Sequence, residues 1–389
     1  MPATSVSRSR FRSYFTLRRA IINISLIVYC LVLLLGFDFA YSTLTRGEEK
    51  QRPVRIANPV YNHGFAANFD GYDIWGELRY RLMTNSLGFK DASPRDVPLK
   101  PDSRRILLMG RSYTEGIGMG FEDSFAGMLF RAGQERREKI EFLNAAVASY
   151  SPVIYYKKIK YLLERGLKLD EIVLFADTSD VTEEASSYFC IDDDPKYRAH
   201  CAAAEGSQQP DAVQTNFFLD RFVVTNRVRI AIKRSIQSLL GNRRRSINTD
   251  RSRIGWVFPG MEIVKEYKPL GVDGGIARAQ QNMRALSDLL AARNIPLTIV
   301  VYPWAQQVAQ GDLDSRQVAL WREFCLTRCK AFINLYPAYF AAASADKDWY
   351  EHLYILGDDH LSAAGNRFFF REIEKYLLLQ GQESSVGGD

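Results

Sequence analysis

Two kinds of apolar pattern run along the chain. The first is one continuous block, Ala20 to Phe37 (AIINISLIVYCLVLLLGF), 18 residues interrupted only by Asn23 and Ser25. As a helix it spans about 27 Å, close to the hydrocarbon thickness of a bilayer, so one membrane-crossing helix is predicted over 20–41. The second pattern is a repeat. RILLMG (Arg105–Gly110), IEFLNA (Ile140–Ala145), EIVLFA (Glu171–Ala176), PLTIVVY (Pro296–Tyr302) and AFINLY (Ala331–Tyr336) are short apolar runs that read as buried strands. Between and after them Asp123–Arg137, Pro152–Arg165, Ile276–Arg293, Arg316–Cys325 and Ser362–Leu378 carry helical spacing. Strands alternating with helices predict a parallel sheet covered on both faces, a three-layer α/β/α domain over residues 101–380.

The rest of the chain takes its place around these elements. Residues 42–100 carry mixed charge and Pro53, Pro59, Pro94 and Pro98, and read as a linker and lead-in. Residues 183–258 are too long for a simple connection between strand and helix and read as an insertion. Within it, Phe217–Leu240 has the pattern of a basic amphipathic helix, and 221–253 holds ten basic residues against one acid, Asp250. Either a solvated face or contact with anionic lipid or an anionic polymer through 217–253 fits that pattern. Residues 381–389 read as a flexible tail.

Charge and cysteines bear on topology. The 389 residues are 47% hydrophobic and 25% charged, which excludes a disordered, collagen-like or many-pass membrane protein. The net charge of +6 is uneven: residues 1–37 hold Arg8, Arg10, Arg12, Arg18 and Arg19 and no acid. What remains is nearly neutral, so the basic balance is no argument for nucleic acid, and no nucleic-acid partner is expected. The arginines precede the apolar block and place residues 1–19 in the cytoplasm as a basic tail, with everything after about 42 outside. A cleaved signal peptide is the competing reading; its apolar core would be shorter, and FDFAYS lacks a small-x-small site. In an oxidising compartment Cys190/Cys201 and Cys325/Cys329 read as two local disulfides. No metal-ligand cluster, nucleotide loop or haem motif is present in the sequence, so neither metal nor cofactor is expected.

Candidate chemistry follows the strands, because open parallel sheets bind ligands beyond the carboxyl ends of their strands. The first strand leads into Gly110-Arg111-Ser112-Tyr113-Thr114-Glu115-Gly116, the second into Ala148-Ser149-Tyr150, and the third into Asp177-Thr178-Ser179-Asp180. Before the last helix stands Gly357-Asp358-Asp359-His360. A serine hydroxyl needs a base, and the base an orienting carboxylate. Ser112, His360 and Asp358 or Asp359 supply the three. His63 and His200 read as surface residues, His352 as packing or capping, Asp192–Asp194 as a solvated loop, and Glu115 as a support of the Ser112 turn.

This constellation resembles the SGNH (GDSL-like) hydrolase superfamily, in particular its single-anchor extracytoplasmic bacterial members. TNSLGFKD (Thr84–Asp91) resembles the lead-in block, LLMGRSYTEGIGMGFEDSF the first block, NAAVASYSP the second, FADTSDV the third, VYPW (Val301–Trp304) a strand-end segment, and GDDHLSAAG the last. The resemblance implies that Ser112 is the nucleophile and His360 the base. Asp358 becomes the acid, ahead of Asp359, because Gly357 stands where the usual triad aspartate falls. It also implies backbone donors at Ser112 and Ser149 for an oxyanion. Ser179 falls where the family has an oxyanion asparagine, and Arg111 where it has an aspartate, a substitution that either blocks the pocket or holds an anionic substrate. The implied activity is a serine esterase or O-acyltransferase, O-acetyl in particular, acting on exported or cell-surface polysaccharide from the periplasmic face of a bacterial inner membrane. The departures at 111 and 179 motivate the alternative, a catalytically weak binding or assembly component of an envelope polysaccharide system. A lipase is a third reading, with no evident apolar lid near Ser112 to favour it.

Overall fold

The computed structural model describes residues 7–45, 54–76, 78–191, 252–258, 260 and 264–379, with six isolated positions between 222 and 247. The chain divides into two units, one of residues 1–50 and 207–244, the other of 51–206 and 245–389. In the first unit, helix α1 (Ser7–Thr45) contains the stretch Ile21–Thr43, long and apolar enough to cross a membrane. Its apolar side chains are exposed, as a helix solvated by lipid requires. Its only free cysteine, Cys30, is exposed among them.

The second unit is built on five parallel strands: β5 (Arg104–Met109), β6 (Ile140–Asn144), β7 (Glu171–Ala176), β8 (Leu297–Val301) and β9 (Ala331–Asn334), in the order β6-β5-β7-β8-β9. All five predicted strands and their intervening helices are present, and the α/β class follows. The central strands are buried on both faces, which is why they read as unbroken apolar runs rather than alternating ones. Their side chains still divide by period two. Leu107, Met109, Ile172, Leu174, Ile299 and Val301 pack under helices Pro152–Glu164, Gly271–Ala291 and Arg316–Arg328. Ile106, Leu108, Val173, Phe175 and Val300 pack under Phe125–Glu135, Tyr336–Ala345 and Ala363–Glu374. Helix starts carry their signals: Ser124 and Ser362 accept from Gly127 and Gly365 backbone N–H groups, and Pro152 occupies a first turn.

The expectation of a linker over 42–100 is corrected. Residues 54–91 form two antiparallel hairpins, β1 (Arg55–Asn58) with β2 (Asn62–Phe65) and β3 (Asp70–Trp75) with β4 (Leu78–Met83). Their strands are four to six residues long, too short for alternation to stand out from mixed composition. Thr84–Lys90 closes a turn in which Asn85 Oδ1 accepts from the Leu87 and Phe89 backbone, and Lys90 bridges to Asn144 at the end of β6. Cys325 and Cys329 are disulfide-bonded. Cys190 is also disulfide-bonded; its expected partner Cys201 lies outside the described residues, as do His200, Asp192–Asp194 and most of the expected helix 217–240. The tail 381–389 lies outside them too.

Candidate active site

Ser112 opens a one-turn helix, Ser112–Glu115, directly beyond β5. Gly110 is required there because a Cβ would collide with the Thr114 side chain, and Gly116 closes the turn in the left-handed region at φ 73°. The Ser112 hydroxyl and backbone N–H make no hydrogen bond to any described residue, so both remain available to a ligand. Tyr113, the next residue, is buried. Its ring lies 5.5 Å from that of His360, and its hydroxyl donates to the Asp359 carbonyl.

His360 stands on the loop before the last helix. Its Nδ1 lies 2.5 Å from Asp358 Oδ1, and its backbone N–H donates to the same oxygen at 2.9 Å. Asp358 Oδ2 accepts from Trp75 Nε1 at 2.6 Å, and the Trp75 ring packs edge-on against His360 with centroids 5.0 Å apart. Burial opposes charge on Asp358, but the bonds from His360 and Trp75 hold its carboxyl at about 2. With the carboxylate ionised, this network assigns the ring proton to Nδ1 and leaves the Nε2 lone pair without a described partner. Asp359 is turned elsewhere, its Oδ1 accepting from Gln306 Nε2 at 2.6 Å.

The loop after β6 is held from below. Glu115, fully buried, accepts from Arg55 Nη1 (3.0 Å), Arg55 Nη2 (2.6 Å) and the Ala148 backbone N–H (2.6 Å). Burial opposes its charge, yet Arg55, Lys90 and these bonds keep the carboxyl below its ordinary value. Ala148 O faces His63 Nε2 at 2.9 Å, so His63 is half-buried structure and not a plain surface residue. Braced on both sides, the next residue, Ser149, is exposed in the left-handed region at φ 63°. Its backbone N–H makes no hydrogen bond to a described residue. Lys90 Nζ donates to the Gly116 and Met119 carbonyls, 2.7 Å each, and Lys158 Nζ to the Ala145 carbonyl at 2.8 Å. Burial pushes these ammonium groups down to about 8 and about 7.

The third loop turns its donors inward. Ser179 gives both its N–H (2.9 Å) and its hydroxyl (2.6 Å) to Asp177 Oδ1, so neither is free for an oxyanion as the asparagine-like position predicted. Asp177 Oδ2 also accepts from Tyr302 and Trp304. Burial opposes its charge, but Arg111 and these donors keep it ionised. Its neighbour Asp180 is pushed well up by burial, and the Arg111 guanidinium 3.7 Å away offsets only part of this. Arg111 is itself buried, bonded to Glu183 Oε1 at 2.9 Å, with Arg253 on the same oxygen at 2.7 Å. Its charge is therefore directed into this acid cluster, and an anionic substrate would have to compete with Glu183 to reach it. His352 is exposed and bonds Asp346. Among the described residues no group of three or more His, Cys, Asp or Glu side chains forms a metal-sized cluster.

The sequence reading missed Trp75, His63, Arg55 and Gln306. None of them carried a signal in the sequence, because the strands that deliver Arg55, His63 and Trp75 are too short for alternation to stand out.

No family model matches the chain, and no curated protein does. Solved structures similar to it include TesA, at 9% identity and TM-score 0.40, covering 71% of this chain and 99% of that one. A lipolytic protein of the G-D-S-L family from Veillonella parvula matches at 10% identity and TM-score 0.38 over 70% of this chain and 98% of its own. A catalytic mutant of Axe2, an acetylxylan esterase from Geobacillus stearothermophilus, matches at 10% identity and TM-score 0.37, over 72% and 95%.

Proposed function

We propose that the chain is a membrane-anchored, SGNH-type serine esterase or O-acyltransferase. Its proposed substrate is an O-acylated, in particular O-acetylated, polysaccharide outside the cytoplasm. The observation that carries this reading is the His360–Asp358 pair, whose Nε2 has no partner among the described residues and belongs to a ring packed on the residue next to a serine hydroxyl that has none among them either. In the reaction His360 Nε2 takes the proton of Ser112 Oγ as the oxygen attacks the ester carbonyl. The Ser112 and Ser149 N–H groups receive the developing oxyanion. His360 then protonates the departing sugar oxygen, and water or a second sugar hydroxyl removes the acyl group from Ser112. Water as acceptor makes an esterase, a sugar makes a transferase. The arginines before the apolar helix support a location of the reaction on the outer face of the inner membrane. The Ser179 donors, both held by Asp177, favour a second reading, a binding or assembly component of an envelope polysaccharide system with little turnover, because one oxyanion donor is missing.

Serine-reactive fluorophosphonate applied to the full chain, followed by mass mapping, separates the two. Labelling confined to Ser112 and lost in His360→Ala supports the esterase or transferase; a folded protein that takes no label leaves the binding reading.

A further inference from the structure

Both peptide planes of Ala148 are pinned. Its N–H donates to Glu115 Oε2 at 2.6 Å, and its carbonyl oxygen lies 2.9 Å from His63 Nε2. A carbonyl oxygen can only accept. The Asn62 side-chain amide, whose Oδ1 lies 2.7 Å from His63 Nδ1, can offer a donor or an acceptor by exchanging its two ends. The neutral imidazole that satisfies both neighbours therefore carries its hydrogen on Nε2 and donates to Ala148. Burial lowers the ring below the ordinary histidine value, Lys158 and Arg55 add to this, and the bond to Ala148 opposes it. Tyr150 sets the ring in place. Its own ring packs edge-on against His63 with centroids 4.9 Å apart, and its hydroxyl donates to the His63 carbonyl at 2.7 Å while accepting from Lys158 Nζ at 3.0 Å.

The Ala148 oxygen and the Ser149 N–H are opposite ends of one planar trans peptide, so holding the oxygen aims the N–H. The hold works against an alternative. Ser149 sits at φ 63°, which disfavours an L side chain. Turning the Ala148–Ser149 peptide over returns φ to the negative side and reverses the N–H. Backbone strain of this kind persists only where the surroundings over-determine it. We propose that His63 is a positioning residue for the reaction: by gripping the Ala148 oxygen it keeps the Ser149 N–H aimed at the ester oxyanion. The inference rests on the reading of Ser112 as nucleophile and the Ser149 N–H as oxyanion donor, and its test keeps the two apart.

The full chain in detergent micelles is assayed for hydrolysis of p-nitrophenyl acetate beside Ser112→Ala, His63→Phe and His63→Gln. His63→Phe keeps a ring against Tyr150 and removes the donor; His63→Gln keeps an N–H at the place of Nε2. Loss of one oxyanion donor lowers kcat by about 100- to 1,000-fold, and a peptide that still visits the productive orientation retains part of that. His63→Phe is therefore expected to lower kcat by about 10- to 100-fold with KM changed less than about twofold, and His63→Gln to recover most of the loss. In Ser149→Gly protein the left-handed backbone costs nothing, so the same His63→Phe change should cost several-fold less. His63→Leu, also without a donor, takes the place of His63→Phe if that protein does not fold, with the same expected loss. Undiminished kcat without the donor, or a His63→Gln loss as large as that of His63→Phe, overturns the role of His63 alone. An equal loss in the Ser149→Gly background overturns the turning peptide as its cause. Turnover absent from the wild type, or undiminished in Ser112→Ala, removes the reaction and the inference with it.

Discussion

Replacing Trp75 by Phe tests whether the β3–β4 hairpin belongs to the reactive centre. The change keeps an aromatic ring against His360 but removes the Nε1–H that Asp358 Oδ2 accepts at 2.6 Å. A hydrogen bond to a charged group contributes about 1.5–3 kcal/mol. The Asp358 side chain is 25% exposed, so water compensates part of the loss and the lower end applies. About 1.4 kcal/mol corresponds to a tenfold rate change. Trp75→Phe is therefore expected to slow fluorophosphonate labelling of Ser112, and hydrolysis of p-nitrophenyl acetate, by about tenfold. Asp358→Asn removes the carboxylate that fixes the His360 tautomer and is expected to slow both by roughly 1,000-fold or more. If Trp75 acts only by holding that carboxylate, the double variant is no slower than Asp358→Asn within about twofold, a coupling of nearly the whole Trp75 effect. A further tenfold loss in the Asn background would refute this, since Trp75 would then act on something other than Asp358. Thermal unfolding of Trp75→Phe within a few degrees of the wild type separates positioning from a general loss of fold.

Three other outcomes follow from the loops around Ser112. Ser149→Val places a β-branched residue at φ 63° and should lower stability by about 1–2 kcal/mol in urea unfolding, while Ser149→Gly stays near neutral because relief of the left-handed backbone is offset by unfolded-state entropy. Glu115→Gln leaves buried cations without their carboxylate and should cost about 3 kcal/mol. Because the Glu115 carboxyl is held low, its contribution is present above the unfolded value of 4.5 and fades as pH falls through the folded value. The wild type should therefore lose more stability on acidification than Glu115→Gln, as read by urea midpoints across pH. Lys158 gives a slope of the same sign in a higher window, because its folded value also lies below the unfolded one: between about 7, where the folded lysine sheds its proton, and 10.5, where the unfolded one does, stability rises with pH by up to about 1.4 kcal/mol per unit. Lys158→Met should flatten that rise over pH 7.5–9.5, and an unchanged slope would mean that the buried ammonium is not its source.

What was legible in the sequence and what was not divide along one physical line. Parallel strands buried on both faces must be apolar throughout, so RILLMG, EIVLFA and PLTIVVY announced themselves, and the residues just past their ends could be read as the reactive edge. The direction of a side chain at that edge left no such trace. Arg111 and Ser179 stand where the strand ends put them, yet both are turned into the acid cluster of Asp177, Asp180 and Glu183, Arg111 by its bond to Glu183 and Ser179 by its two bonds to Asp177. The hairpins over 54–91 were hidden for a different reason: strands of four to six residues carry too few alternations to be told from a linker. With them went the supports they deliver, Arg55 to Glu115, Lys90 to the Gly116 carbonyl and Trp75 to Asp358, the last across 283 residues of sequence. A motif records which groups react, since chemistry restricts their type. Any residue that presents an N–H or a cation at the right place can brace those groups, so the brace is visible only once the chain has folded.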